Sequence, residues 1–333
     1  MNSQKESALS RFRRLLIGDA RNPHDKDVFH QISLIAFLAW VGLGADGITS
    51  SCYGPEEAFR ALGGHASLSF LVGLGCAVTV FVIATSYSQI IELFPSGGGG
   101  YLVASKLLSP SMGMISGCAL LVDYVLTITL SIASGADALF SFFGPELQPA
   151  KFWFALAGVL ALTLMNLRGV KEAVMPLVPI FLLFIVSHAA IILFAIGTHL
   201  LDISAVTTRI AGDIRATNSE LGFFGMIWLM LKAYSMSAGT YTGIEAVSNG
   251  LPILREPKVE TGKRTMTYMA VSLASIVFGL LIAYLLYDVH PSPDKTLNAV
   301  LFEKALGGFG KMGSLFIFLT LFSEAALLFV GAQ

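Results

Sequence analysis

Residues Val41–Gly54 read Val-Gly-Leu-Gly-Ala-Asp-Gly-Ile-Thr-Ser-Ser-Cys-Tyr-Gly. The stretch lies inside a long apolar segment. It nevertheless carries Gly42, Gly44, Gly47 and Gly54, together with the acid Asp46. Glycine costs a helix about 1 kcal/mol against alanine, and an ionisable side chain near a bilayer centre costs a few kcal/mol more. A plain membrane anchor would hold neither. Such interruptions are tolerated where freed backbone lines a polar cavity rather than lipid. The stretch is therefore expected to be a discontinuous membrane helix that offers Asp46 and open carbonyls to a solute. The plainer alternative is a glycine-rich packing seam around one buried acid.

The composition agrees with a membrane setting. Apolar residues make up 55% of the chain and charged residues 13%, whereas soluble domains carry about a quarter charged residues. The apolar residues fall in eight runs, at about 31–60, 67–93, 113–142, 152–168, 173–200, 222–250, 266–288 and 312–333, nearly all long enough to cross a bilayer. This is an all-α polytopic membrane protein by its pattern. Residues 1–30 are polar and basic and read as a cytoplasmic arm, not a signal peptide. Lys and Arg in that arm, with Lys106, Arg168, Lys171, Arg255, Lys258, Lys263 and Arg264, outnumber those of the opposite face and place the N-terminus inside. Residues 201–221 are expected to form an external loop. Cys52, Cys76 and Cys118 have no disulfide or metal spacing and read as small packing residues. A net charge of −1 without a basic patch gives no reason to expect nucleic acid.

The third run carries Asp123-Tyr124, Thr127, Ser131 and Ser134. At helical spacing Asp123, Thr127, Ser131 and Ser134 share a stripe about 80° wide, between Leu, Val and Ile. Polar groups go unsatisfied in hydrocarbon, so the stripe must face the bundle interior. Asp123 lies about 15 Å from the inner end, near the midplane. Asp137 extends the stripe outward and reads as a helix-end acid. Hydroxyls alone could be helix–helix glue; an acid, a tyrosine and three hydroxyls on one face favour a functional stripe.

The sixth run contains a second interruption, Ser237-Ala-Gly239-Thr240-Tyr241-Thr242-Gly243-Ile-Glu245-Ala-Val-Ser248-Asn249-Gly250. Paired breaks at corresponding positions of two halves point to the binding site of an inverted-repeat transporter. Residues 31–200 would form the first repeat and 222–333 part of a second. Asp46, Asp123 and Glu245 would then border one electronegative, all-oxygen cavity suited to a dehydrated monovalent cation. Three charged carboxylates there would repel, so at least one is expected to hold a proton. Lys232 is expected to snorkel to the outer interface, and His188 to be a hydrogen-bonded core histidine, a proton relay being the alternative. Between the second and third runs, Pro95–Tyr101 with its four consecutive glycines is expected to make a sharp turn. The Asn166-Leu-Arg-Gly169 stretch is expected to make a tight inner turn.

These motifs together resemble the amino acid–polyamine–organocation (APC) superfamily, with a LeuT/APC-like inverted-repeat fold and discontinuous helices 1 and 6. The closer likeness is to potassium importers of the KimA/KUP type. It is carried by Asp46 with Tyr53-Gly54, by Asp123-Tyr124-x-x-Thr127-x-x-x-Ser131, and by Thr242-Gly-x-Glu245. The resemblance implies proton-coupled potassium uptake by alternating access in the cell membrane. Tyr53, Thr127, Ser131 and Thr242 would coordinate the potassium ion, with no transition metal. Asp46, Asp123 and Glu245 would supply charge and carry the proton, and Tyr124 would support the site. Potassium and protons would be transported species, and no cofactor is implied. The expected partners are the lipid bilayer, the monovalent cation and, in a homodimer, a second copy. The family has a complete second repeat. Here the chain stops after its eighth run at Gln333, so the resemblance implies a C-terminally truncated copy or a piece of a longer product. An amino acid or amine permease of the same fold is the alternative, although Asp46 would oppose a substrate carboxylate. A non-transporting remnant is another. An enzyme is not expected, since no nucleophile–base pairing, metal spacing or phosphate loop is present.

Overall fold

A computed structural model describes residues 33–166 and 170–332. The arm at 1–30 and residues 167–169 of the expected inner turn lie outside the described residues. Among the described residues seven helices are long and apolar enough to cross a membrane, and β structure is confined to two isolated bridges.

The first stretch is built in pieces. Helix α1 spans Ala36–Gly42, α2 spans Gly44–Thr49, a 3-10 turn covers Ser50–Cys52, and α3 spans Gly54–Leu62. The backbone nevertheless stays right-handed at the joints, with Leu43 at φ −89°, ψ −32° and Tyr53 at φ −118°, ψ −32°. The helix tightens and does not unwind. Its carbonyls are not open as expected. Thr49 Oγ1 donates to Asp46 O at 2.7 Å, Ser51 Oγ to Ile48 O at 2.7 Å, and Ser50 Oγ serves Gly47 O. A hydroxyl three residues on in a tight turn reaches back to such a carbonyl and competes with any ligand for it.

Helix α4 (Ser69–Leu93) leads to the glycine run. Gly97, Gly98 and Gly99 have φ of 82°, 99° and 46°. These values are costly for side chains with a Cβ, so three successive glycines make the turn possible. Helix α5 (Gly99–Val103) and a π-turn at Ala104–Leu108 follow. Helix α6 (Pro110–Phe140) starts slightly before the expected 113, because Pro110 opens it and Ser109 Oγ accepts from the Met112 N–H at 3.2 Å. Helices α7 (Lys151–Asn166) and α8 (Val170–Thr198) come next.

Residues 201–221, expected as a loop, are largely helical. Helix α9 runs Ile203–Met236 with a kink at Gly222, whose φ is 70°. Three contacts tie its first half down. Ser67 donates to Asp213 at 2.6 Å, His65 Nδ1 lies 3.0 Å from Thr217 Oγ1, and Arg209 donates to Leu285 O at 2.8 Å. Lys232 on α9 is exposed, not turned into the bundle. Beyond α9 come a 3-10 turn at Ser237–Tyr241, extended Thr242 (φ −66°, ψ 149°), Gly243 at φ 81° and the one-turn α10, Ala246–Asn249. This second break unwinds fully. Helices α11 (Lys258–Leu286), α12 (Leu297–Leu306) and α13 (Gly310–Gly331) follow.

Helix α11 lies at the centre: 67% of its most apolar window is buried, against 6% for Pro145–Leu164 on the rim. Lipid tails are as apolar as leucine, so helices associate there through close packing and small residues. Gly73 on α4 meets this need, since a Cβ there would lie 2.8 Å from Leu281 Cδ1. Trp40 of α1 packs edge-on against Phe181 of α8 at 4.7 Å and donates its indole N–H to Ser272 Oγ at 3.2 Å. The start of the first stretch is also bonded to the far side of the second break. Leu34 N–H donates to Ile253 O, and Arg255 N–H to Leu34 O, both at 2.9 Å.

Candidate functional site

The two breaks touch directly. A Cβ on Gly243 would lie 2.6 Å from Gly47 N and 2.7 Å from Asp46 Oδ2, and one on Gly54 would lie 1.9 Å from Thr240 Oγ1. Ser50 Oγ also lies 2.8 Å from Thr240 O. Glycine at 54 and 243 thus lets one interrupted segment press against the other. The other Asp46 oxygen, Oδ1, is buried without a hydrogen-bond partner.

Tyr53 sits at the end of the 3-10 turn and is buried. Thr242 Oγ1 donates to Gly239 O at 2.9 Å, so across its 3.4 Å contact with Tyr53 the phenol is the donor. The phenol lone pairs remain available. Glu245 directly precedes α10 without a side-chain capping bond and is buried, with Oε1 unpaired.

Helix α6 presents the expected polar stripe inward. Thr127 and Ser131 are buried while Leu121, Val122, Val125 and Leu126 are exposed. Ser131 Oγ is unpaired, and Asp123 is half-buried at the start of the stripe. Tyr124 OH accepts from Asn249 Nδ2 at 3.0 Å. Asp137 does form a helix-end ion pair, at 2.5 Å from Lys151 Nζ.

Asp123 is tied to the second break through its neighbour Tyr124, which is bonded to Asn249, four residues beyond Glu245. Among the described residues, however, no three His, Cys, Asp or Glu side chains meet as a metal-ligand cluster. The acids border one seam, Asp46 from α2, Asp123 from α6 and Glu245 from the residue before α10. Unpaired Asp46 Oδ1, Ser131 Oγ, Thr240 Oγ1 and Glu245 Oε1 make the seam's chemistry all-oxygen. Burying a polar atom unpaired costs about 1–3 kcal/mol, and such atoms call for a ligand, ion or water.

Sequence reasoning missed three contributors. Asn249 links Tyr124 to α10, and its Oδ1 stands where a Cβ on Gly99 would clash at 2.2 Å. Glu56 is buried, accepts from Arg60 Nε at 2.8 Å, and accepts the Leu297 N–H at 3.0 Å, locking α3 to the start of α12. Glu324 on α13 is buried beside Asn298 and His188. The signal available was the acid itself within an apolar run, read for Asp46 but not for Glu324.

Residues 31–333 match the family described as Amino acid permease. The potassium transporter KimA of Bacillus subtilis (strain 168) is 32% identical over 300 residues, which cover 89% of this chain and 48% of KimA. The low-affinity putrescine importer PlaP of Escherichia coli (strain K12) is 23% identical over 186 residues, 56% of this chain and 38% of PlaP. The chain thus spans about half the length, or less, of these curated relatives.

Proposed function

Because this chain belongs to the amino acid permease family, within the APC superfamily, we propose that it is a secondary transporter that takes up potassium with protons by alternating access. It acts as a carrier and not as an enzyme, with its N-terminus in the cytoplasm. Residues 31–200 would form one repeat and 222–333 part of its inverted counterpart. The observation that carries this reading is the half-buried Asp46 carboxylate, with Oδ1 buried and unpaired and Oδ2 pressed against the second break at Gly243. A negative oxygen there favours a cation and opposes a substrate carboxylate. Hard monovalent cations take oxygen ligands in place of their hydration shell. Tyr53, Thr127, Ser131 and Thr242 would supply neutral oxygens; Asp46, Asp123 and Glu245 would supply charge and hold the coupling proton. Tyr124, held by Asn249, would brace them.

An organic amine is the second reading, favoured by the match to a putrescine importer and by the same acids. Proteoliposomes separate the two. Rubidium or potassium uptake should rise with an inward proton gradient and be lost in Asp123→Asn. Accumulation of labelled putrescine or amino acid without cation flux would overturn the potassium assignment.

A further inference from the structure

A second buried polar group lies away from the seam, between α8, α11, α12 and α13. Its hydrogen bonds have an unambiguous direction. Tyr284 OH donates to Asn298 Oδ1 at 2.5 Å, and Asn298 Nδ2 donates to Glu324 Oε1 at 2.9 Å. On the other side, His188 Nδ1 lies 3.0 Å from Phe184 O. A carbonyl only accepts, so Nδ1 carries a hydrogen and the neutral ring has its lone pair on Nε2. That nitrogen faces Glu324 Oε2 at 3.8 Å. Both atoms are unpaired, and the two side chains are 0% and 1% exposed.

Two acceptors thus face each other where water does not reach. Left so, the arrangement leaves one lone pair opposing another and a carboxylate without its counter-charge, the costliest kind of buried polar group. A single proton removes the conflict. On Oε2 it donates to Nε2; on Nε2 it makes an imidazolium–carboxylate pair. Either form needs the atoms to close by about 1 Å to hydrogen-bond length. We propose that His188 and Glu324 form a proton-binding site, holding one proton between Nε2 and Oε2, separate from the acids of the two breaks.

The surroundings identify what else faces the pair. Tyr284 and Asn298 approach from α11 and α12, and the Cys52 thiol, from the 3-10 turn of the first stretch, is placed to donate to the Glu324 carboxylate. The next acid is Glu56 on α3, already engaged by Arg60 and the Leu297 N–H. No cation other than the imidazolium is thus placed to neutralise Glu324 among these groups. Cys52, beside Glu324, directly precedes Tyr53 of the seam. The proton's use in coupling rests on the transport reading; its presence does not.

Infrared difference spectra of the full chain in lipid nanodiscs, recorded near neutral pH without potassium, test the site. Histidine-selective nitrogen NMR on the same samples reports the ring. The expected result is a protonated-carboxyl band that disappears in Glu324→Gln and shifts in His188→Gln, or an imidazolium signal that disappears in Glu324→Gln. If a folded Glu324→Gln protein keeps both the band and an unaltered His188 resonance, the proposal fails. If Glu324→Gln does not fold, His188→Gln decides: a shifted carboxyl band, or loss of an imidazolium signal, supports the pair, and an unaltered spectrum overturns it. Because potassium is left out, failure here leaves the cation reading standing, and loss of cation flux leaves this site standing.

Discussion

Gly243 and Asp46 meet so closely that a Cβ on the glycine would stand 2.7 Å from the carboxylate Oδ2. Gly243 also holds φ at 81°. Gly243→Ala therefore meets backbone strain of about 1–3 kcal/mol and pushes Asp46 aside as well. We expect a lower melting temperature together with loss of potassium-induced stabilisation, both read in one thermal scan.

Asp46→Asn separates charge from shape. The amide fills the same space, while a half-buried charge with one buried, unpaired oxygen is removed, so the fold should be as stable or more stable. Cation affinity should fall at least tenfold, or about 1.4 kcal/mol. The measurement is the potassium dependence of the melting temperature. Unchanged affinity would remove Asp46 from the site.

Tyr53→Phe distinguishes a ligand from a structural hydroxyl. The Tyr53–Thr242 contact is long, at 3.4 Å, so its loss should cost less than about 1 kcal/mol of stability. A coordinating phenol would show itself as a larger loss in cation affinity than in stability. Isothermal titration alongside chemical denaturation gives both numbers.

Asn249→Ala should loosen the brace. It removes the bond to Tyr124 OH and the amide that fills the space beside Gly99. A stability loss of about 1 kcal/mol is expected, with faster amide hydrogen exchange in residues 97–103.

Glu56→Gln tests the lock between α3 and α12. It weakens charge-assisted bonds from Arg60 and the Leu297 N–H, worth about 1–3 kcal/mol. Exchange should rise at the start of α12 while α4 and α11 stay protected. Equal deprotection throughout would mean that Glu56 supports the whole bundle, not this junction.

The spans were legible because hydropathy over some twenty residues is set by the bilayer and little else. The inward stripe of α6 was legible because Thr127 and Ser131 can face only inward in hydrocarbon. The form of the first break was not. Thr49, Ser50 and Ser51 could equally coordinate a solute or bond their own backbone, and only the fold shows the second. The helix over 203–221 was hidden because its mixed charges give no membrane signal, and its anchors, Ser67 and Leu285, are remote in sequence. The pairing of His188 with Glu324 was hidden for the same reason: each looks like an isolated polar residue until α8 and α13 are packed together.

The hydroxyls of the first stretch carry a further consequence. A filter made of main chain is the same whatever residues compose it, and mutation can scarcely alter it. Here the carbonyls of Asp46, Gly47 and Ile48 are already engaged by Thr49, Ser50 and Ser51. On the proposed transport reading, discrimination between one cargo and another would fall to exchangeable side chains, and a single amino-acid replacement along this joint would be expected to redirect the protein to a different solute while the scaffold stays as it is.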